Sequence, residues 1–478
     1  MPRRSGRPAA WWGAAAAAVL ALATGSGEAT RAEAGATANA RDGAPPATTA
    51  WDAYRMPVAH RRLDNGLQVV VSVDRAAPVV AVTVMYRAGI RAESPGRSGL
   101  AHFFEHLMFQ GTAALDKREY ARAINGVGGR FNGATRMDYA SYYTAAPSHA
   151  LDLLLWIEAD RMRGLSITPA VLENQRAVVL EEIRQAANQP FASLDEQLQR
   201  LAFARWENAH NGYGEVADLE AATLDDIRAF YDRLYVPSNA VLVVVGDCDP
   251  ERVFARATEY FGDVPAVPAP RRTEVSEQVP AMAERSAEIV EPAARGRVLA
   301  IGYRLPPRMS KPFLSLALLD TLLGRNARGL LSRTLVQERA LATSVAASFH
   351  ALGNDFDFDG PMLYTVRVDQ TDRGAAADVI GVVDAAIGRI QREGISDNEL
   401  AEARRRYVTW FLDQVAGPGN PHQTRGRMLA AFALFDDNPE DVNRVLPEVM
   451  ALTAADLQSA ARTYLAAANR VWIQGRPR

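Results

Sequence analysis

Cysteine is nearly absent from this chain. Cys248 is the single one in 478 residues, so no internal disulfide can form, and a cysteine-rich structural zinc site is excluded. An excess of charge of one sign is missing too: 53 Lys and Arg stand against 56 Asp and Glu, a net −3, which leaves no electrostatic footprint for nucleic acid. Nor does any apolar run reach the ~20 residues needed to span a bilayer. The best candidate, "WWGAAAAAVLALA" at 11–23, falls short. Histidine is scarce, with only seven. What the chain does have is length for two or three domains and 48% hydrophobic residues, enough for substantial cores.

The N-terminus reads as an address. Arg3, Arg4 and Arg7 precede the apolar run, and a small-residue tract with Ala32-Glu33-Ala34 and Ala38-Asn39-Ala40 follows it. A basic region, a short apolar region and an Ala-x-Ala exit together match a secretory signal. The expectation is a soluble protein, periplasmic or secreted after signal removal, with no stable membrane span and with residues up to about Ala50 disordered.

Beyond that leader, "RRLDNGLQVVVSVD" reads as a hairpin, with Asp64-Asn65-Gly66 as turn chemistry. "VVAVTVMYRAG" and "NAVLVVVGDCDP" read as buried strands, and "GGRFNGATRMDYASYYTAA" as a strand pair. A Pro-rich stretch, "VPAVPAPRRTEVSEQVP", is the best linker candidate. Then the pattern returns. "TLDDIRAFYDRLYVPSNAVLVVVGD" from Thr223 has a gapless partner in "TAADLQSAARTYLAAANRVWIQGRP" from Thr453, with an Asn sixteen residues on in each (239 − 223 and 469 − 453). "SITPAVLENQRAVV" is matched by "GISDNELAEARRRYV" about 228 residues later, and "AVTVMYRAG" by "RVLAIGYRLPP". Three matches in the same order imply two related α+β halves.

The first half carries "SGLAHFFEHLMFQGT", in which His102, Glu105 and His106 interrupt an apolar helix. Aligning Tyr86 on Tyr303, a shift of 217, drops those three positions on Leu319, Leu322 and Leu323. The second copy of the helix is thus expected to be purely apolar core without the polar trio, so the trio serves something other than folding. Residues at i, i+3 and i+4 share a face. Two imidazoles at that spacing can clamp one zinc ion, with Glu105 beside the metal to take a proton from water.

With those residues in view, the chain resembles the pitrilysin/insulinase family of zinc metallopeptidases, and within it the bacterial relatives of the mitochondrial processing peptidases. The family's third zinc ligand is a glutamate about 76 positions after the second histidine. The resemblance thus implies Glu182, in "NQRAVVLEEIRQ", with Glu181 as the neighbouring rival. A glutamate seven positions before that ligand often supports an active-site histidine in the family. Gln175 stands there, a second-sphere residue that can hydrogen-bond but cannot balance charge. The family's substrate strand implies a role for Asn132, although Gly133-Ala134-Thr135 departs slightly from its pattern. A far-half arginine and tyrosine that grip substrate map toward Arg425 and the position of Phe432. Arg425 and Arg427 equally suit a solvated helix face.

What this implies is an α+β fold of two homologous domains, each a mostly antiparallel sheet packed with helices, forming half of a clam-shell chamber. The expected division is a signal and processing region at 1–40, a catalytic zinc domain at 41–263, a linker at 264–290 and a metal-free domain at 291–478. The expected function is an exported, zinc-dependent metalloendopeptidase acting on peptides or unfolded polypeptides. A partner is implied, either a second copy or a paralogous metal-free subunit. The competing readings are a zinc-bearing subunit inactive alone, a non-catalytic assembly scaffold and a zinc hydrolase of non-peptide substrates.

Overall fold

The computed structural model describes residues 54–279, 283–325, 327–349, 355–417 and 421–478. The expected signal region, 1–40, lies outside them.

The hairpin forms as its sequence suggests. Strand β1 (Ala59–Arg62) runs antiparallel to β2 (Gln68–Val73), and Gly66 turns the chain at φ +95, a conformation glycine adopts without strain. Next come β3 (Val79–Tyr86), β4 (Arg130–Thr135), β5 (Ala140–Pro147) and β6 (Ala240–Gly246), in a sheet of order β1-β2-β6-β3-β5-β4. The valine-rich strands β2, β3 and β6 are buried along nearly their whole length, and such strands need cover on both faces.

On one face the cover is local. Helices α1 (Leu100–Leu107) and α2 (Leu151–Arg163) bury Phe103, Phe104, Leu107, Leu154 and Leu155 against Val80, Val82, Val84 and Tyr86. The chain continues through α3 (Pro169–Ala187), α4 (Leu194–Ala202) and α5 (Leu224–Leu234).

The second half builds a sheet from β7 (Arg285–Val290), β8 (Arg297–Arg304), β9 (Ala342–Ser348), β10 (Leu363–Gln370) and β11 (Arg470–Arg476), in the order β7-β11-β8-β10-β9. Its helices include α6 (Lys311–Leu323), α7 (Asp397–Ala416), α8 (Pro421–Asp436) and α9 (Ala454–Tyr464). The repeat in sequence is a repeat in structure. Thr223 and Thr453 each close a capping box, with Asp226 and Asp456, at the start of α5 and α9. The Asn sixteen residues on then ties the end of that helix to a central strand. Asn239 Nδ2 donates to Leu234 O at 2.8 Å and Arg87 O at 3.1 Å. Asn469 Nδ2 donates to Tyr464 O at 2.7 Å and Arg304 O at 2.9 Å.

The two halves exchange cover. Helix α8, from the second half, packs on β3 and β6 of the first sheet; Gly426 lies over Thr83, whose Oγ1 a Cβ would meet at 3.0 Å. In return α4, from the first half, sets Leu194, Leu198 and Ala202 against Val298, Ala300, Val471 and Ile473 of the second sheet. The exchanged helices are themselves repeat partners, about 227 residues apart (421 − 194). Residues 54–478 accordingly form one compact unit.

Two expectations need correction. The stretch 264–290 is not a linker throughout, because Arg285–Val290 is β7, a parallel edge strand on β11. Its earlier part is also fastened down: Asn208 Nδ2 donates to Val275 O at 2.9 Å, and Arg205 N to Glu277 Oε1 at 2.8 Å. Proline content dominated that reading, whereas pairing with a strand almost 190 residues away cannot be seen locally. Second, the counterpart helix α6 is not wholly apolar. Leu319 and Leu323 are buried as expected, but so is Asp320, which accepts from Tyr364 Oη at 2.9 Å and pairs with Arg325 at 2.8 Å.

The exchange makes the two sheets mutually dependent. Leu198→Ala should cost about 2–5 kcal/mol through the cavity it opens, with both halves still unfolding in one transition. Calorimetry checks this; two resolved transitions, or an unmoved midpoint, would count against it.

Candidate metal centre

Helix α1 forms because Leu100, Ala101, Phe103, Phe104 and Leu107 are all buried, which leaves His102, Glu105 and His106 on its half-buried face. It starts at Gly99, whose φ is +83 and where a Cβ would fall 2.6 Å from the Tyr213 carbonyl, so only glycine fits. Helix α3 is capped by Thr168 with Pro169 in its first turn, and it packs against α1. Along α3, Leu172, Gln175, Val179 and Glu182 share a face, and this face turns toward α1.

His106 Nε2 lies 3.3 Å from Glu182 Oε2, and His102 Nε2 lies 3.7 Å from the same oxygen. The imidazole rings stand nearly perpendicular, 5.0 Å apart between centroids. One donor atom from each of the three residues falls within 4.8 Å of the others. Zinc bound at 2.0–2.2 Å in a tetrahedral arrangement sets its donors roughly 3.3 Å apart, so two nitrogens and one carboxylate oxygen at these separations fit that ion with little adjustment. Among the described residues this is the one such His, Cys, Asp and Glu group.

The electrostatics favour a metal over protons. Burial, helped by the neighbouring His106, pushes His102 down from its ordinary 6.5 to about 4. Burial works to raise Glu182, but the hydrogen bond and charge of His106 outweigh it and hold the carboxyl below its usual range. At neutral pH the site therefore offers a deprotonated imidazole and a carboxylate, the forms a metal needs.

Glu105 faces β4. A Cβ on Gly133 would come within 2.9 Å of Glu105 Cγ and 3.2 Å of Phe109, so glycine at that position lets the strand pass close over the carboxylate side chain. Strand β4 is the sheet's edge, paired only with β5, and Asn132 is exposed on it.

The other expected site residues part company here. Glu181 turns to solvent, ion-paired with Arg184 and accepting from Gln185 at 3.2 Å. Successive residues lie about 100° apart on a helix, so only one of the adjacent glutamates can face α1. Gln175 is buried but donates to Asn174 at 2.8 Å. His102 Nδ1 is left buried without a partner among the described residues. Arg425 belongs neither to a solvated face nor to the metal group. It is 4% exposed, hydrogen-bonded to Ser72 Oγ at 2.5 Å and near Asp74, over β2, and three strands separate β2 from β4. Arg427 is turned toward the fully buried Asp357, and Phe432 is likewise fully buried. Packing of α8 on the other half's sheet is what buries this polar patch. One neighbour was not anticipated: Tyr213, whose ring meets His102 edge-on at 5.0 Å. Burial, with the nearby Glu182 and Glu105, raises its phenol above the ordinary value. The Gly212-Tyr213-Gly214 triplet was the available signal.

Residues 68–211 match the model described as insulinase (peptidase family M16), and residues 221–407 match the peptidase M16 inactive domain. Together these cover more than half of the chain. It belongs to the insulinase (M16) family. Among relatives, the chain is 31% identical to the zinc protease PqqE of Helicobacter pylori over 288 residues, which are 59% of this chain and 64% of that protein's length. It is 27% identical to an uncharacterized zinc protease of Mycobacterium leprae over 73% of this chain and 76% of that one. The fold is similar to that of a solved protease from H. pylori, with a TM-score of 0.81 and 24% identity, covering 89% of this chain and all of that one. It is also similar to the periplasmic protease PqqL from Escherichia coli, with a TM-score of 0.69 and 21% identity; 88% of this chain matches 47% of that one. Two-sheet α+β architecture is thus the M16 fold. Among the described residues no helix is long and apolar enough to cross a membrane.

The depressed His102 has a measurable consequence in the metal-free chain. The unfolded chain takes up a proton there as pH falls through 6.5, whereas the folded chain does so only near 4, so stability is lost across that window as pH falls. Urea midpoints of chelator-treated protein at pH 7 and pH 5 should therefore diverge more for the natural chain than for His102→Gln. Equal divergence would remove the assignment.

Proposed function

We propose that this protein is an exported zinc metalloendopeptidase that cuts peptides or unfolded polypeptides, with His102, His106 and Glu182 as metal ligands and Glu105 as general base. The observation that carries the reading is the meeting of three donor atoms within 4.8 Å, beside an open sheet edge. Zinc in such a site supplies Lewis acidity, polarising a carbonyl and acidifying water. Glu105, fourth in the His-x-x-Glu-His pattern, takes a proton from the attacking water on its carboxylate and returns it to the leaving amine, a contribution typically worth ~10²–10⁴-fold. The unpaired edge of β4 suits an extended substrate backbone, which pairs as an added strand whatever its side chains, and Asn132 is exposed to meet it.

Assembly is read from how the far-half pair is placed. Arg425 is committed to Ser72 and Asp74, and position 432 is a buried phenylalanine. A substrate grip from the far side of a chamber then comes from a partner. We read the chain as half of a clam-shell that closes with a second copy or with a metal-free paralogue. One observation favours a second reading, a zinc-bearing subunit inactive alone: residues 221–407 match a model described as an inactive domain. Periplasmic residence fits the N-terminal pattern, and PqqL, a structural neighbour, is described as periplasmic.

The test is cleavage of a quenched, unstructured peptide library, run alongside zinc content. The natural chain should cleave in a chelator-sensitive way. Glu105→Gln should keep its zinc and lose turnover by at least ~10²-fold, and His102→Ala should lose the metal. Full zinc occupancy in His102→Ala would overturn the ligand set. Bound zinc without cleavage would select the partner-dependent reading.

A further inference from the structure

Helix α1 has only eight residues, yet it holds two of the three donors. A helix that short leaves its first four N–H and last four C=O groups, half of its backbone polar groups, without partners inside the helix, and burial makes them costly. No side chain among the described residues fixes His102 through Nδ1. With no acceptor among the described residues on the ligand's other nitrogen, the backbone of α1 carries more of the orientation of the imidazole.

We infer that Glu93 and Arg161 are positioning residues that clamp α1 at its two ends and so set the geometry of the metal ligands. At the N-terminus, Glu93 is buried, and its carboxylate accepts from both sides of the first turn: Gly99 N donates to Oε2 at 2.9 Å and Ala101 N to Oε1 at 2.7 Å. Ala101 adjoins His102. The carboxylate is itself held by His210, whose Nε2 lies 2.9 Å from Oε2. His210 Nδ1 sits 2.9 Å from the Trp206 carbonyl, so the ring is held at both nitrogens. The same imidazole stacks on Trp206 at 3.7 Å with the planes 1° apart.

At the C-terminus the charge is reversed. Arg161, 2% exposed, points Nη1 at the Met108 carbonyl at 3.4 Å and is paired with the equally buried Glu158. Its guanidinium lies 5.0 Å from the Tyr142 ring, 5.3 Å from Phe109 and 5.4 Å from Tyr120. An acid at the N-terminus and a base at the C-terminus both oppose the helix dipole favourably, and burial spares them the screening that weakens such pairs at surfaces. Phe109 and Tyr142 are also the rings that Gly133 faces beside Glu105. The C-terminal clamp therefore reaches the strand next to the base as well.

The inference rests on the proposed metal site, and the experiment separates the two. Zinc dissociation constants, by chelator competition, and amide exchange across Ala101–Leu107 would be measured on the full chain carrying Glu93→Gln, which keeps the shape but can accept through only one oxygen. Zinc affinity should fall at least ~10-fold, with faster exchange confined to α1. Asp320→Asn, which strikes a buried network in the second half, should lower the unfolding midpoint without moving zinc affinity. If Glu93→Gln does not fold, His210→Gln should show the same effect at smaller size. Unchanged affinity and unchanged exchange in a folded Glu93→Gln chain would overturn the clamp. Should the natural chain bind no zinc, the metal reading fails, and exchange in α1 alone decides whether the clamp stands.

Discussion

Three donor atoms have to stay within a few ångströms of one another although two come from α1 and one from α3, and much of the first half can be understood as the means of keeping them there. Left alone, an imidazole pair and a carboxylate prefer separate hydration. They are brought together because Phe103, Phe104 and Leu107 drive one face of α1 into the core while Leu172 and Val179 drive α3 against its neighbour. The apolar residues do the assembling, and the polar ones occupy what the assembly leaves open. Burial then tunes the result, holding His102 free of a proton at neutral pH, as a ligand must be.

The two halves show how one frame serves two ends. The helix that carries the donors in the first half is, in the second, a core element in which Leu319 and Leu323 are buried and Asp320 joins Arg325, Asp355 and Tyr364 in an internal network. That network stabilises and specifies packing but leaves no open coordination position. Exchange of α4 and α8 ties the copies together, so the first sheet depends for one of its faces on the half that lacks the candidate site. This is also why Arg425 is buried: α8 is part of the scaffold, and Arg425 meets Ser72 and Asp74 at its seam.

A good deal was legible in the chain of letters. His102, Glu105 and His106 stand out because helical spacing alone puts i, i+3 and i+4 on one face, and because the repeat supplies a copy without them. The Thr-to-Asn spacing marks a capped helix tied back to a strand, and it does so twice. By itself, the sequence determined these local relations, since they depend on helix pitch, capping chemistry and turn conformation, all of which act over a few residues. Only the tertiary structure decided which of Glu181 and Glu182 faces α1, that Arg425 is buried at a seam, that Arg285–Val290 completes a sheet, that α4 and α8 trade places, and that Glu93 and Arg161 end the metal helix. An apolar helix face states that it must be covered but not by which sheet, and a buried charge finds its partner through packing between segments far apart in the chain.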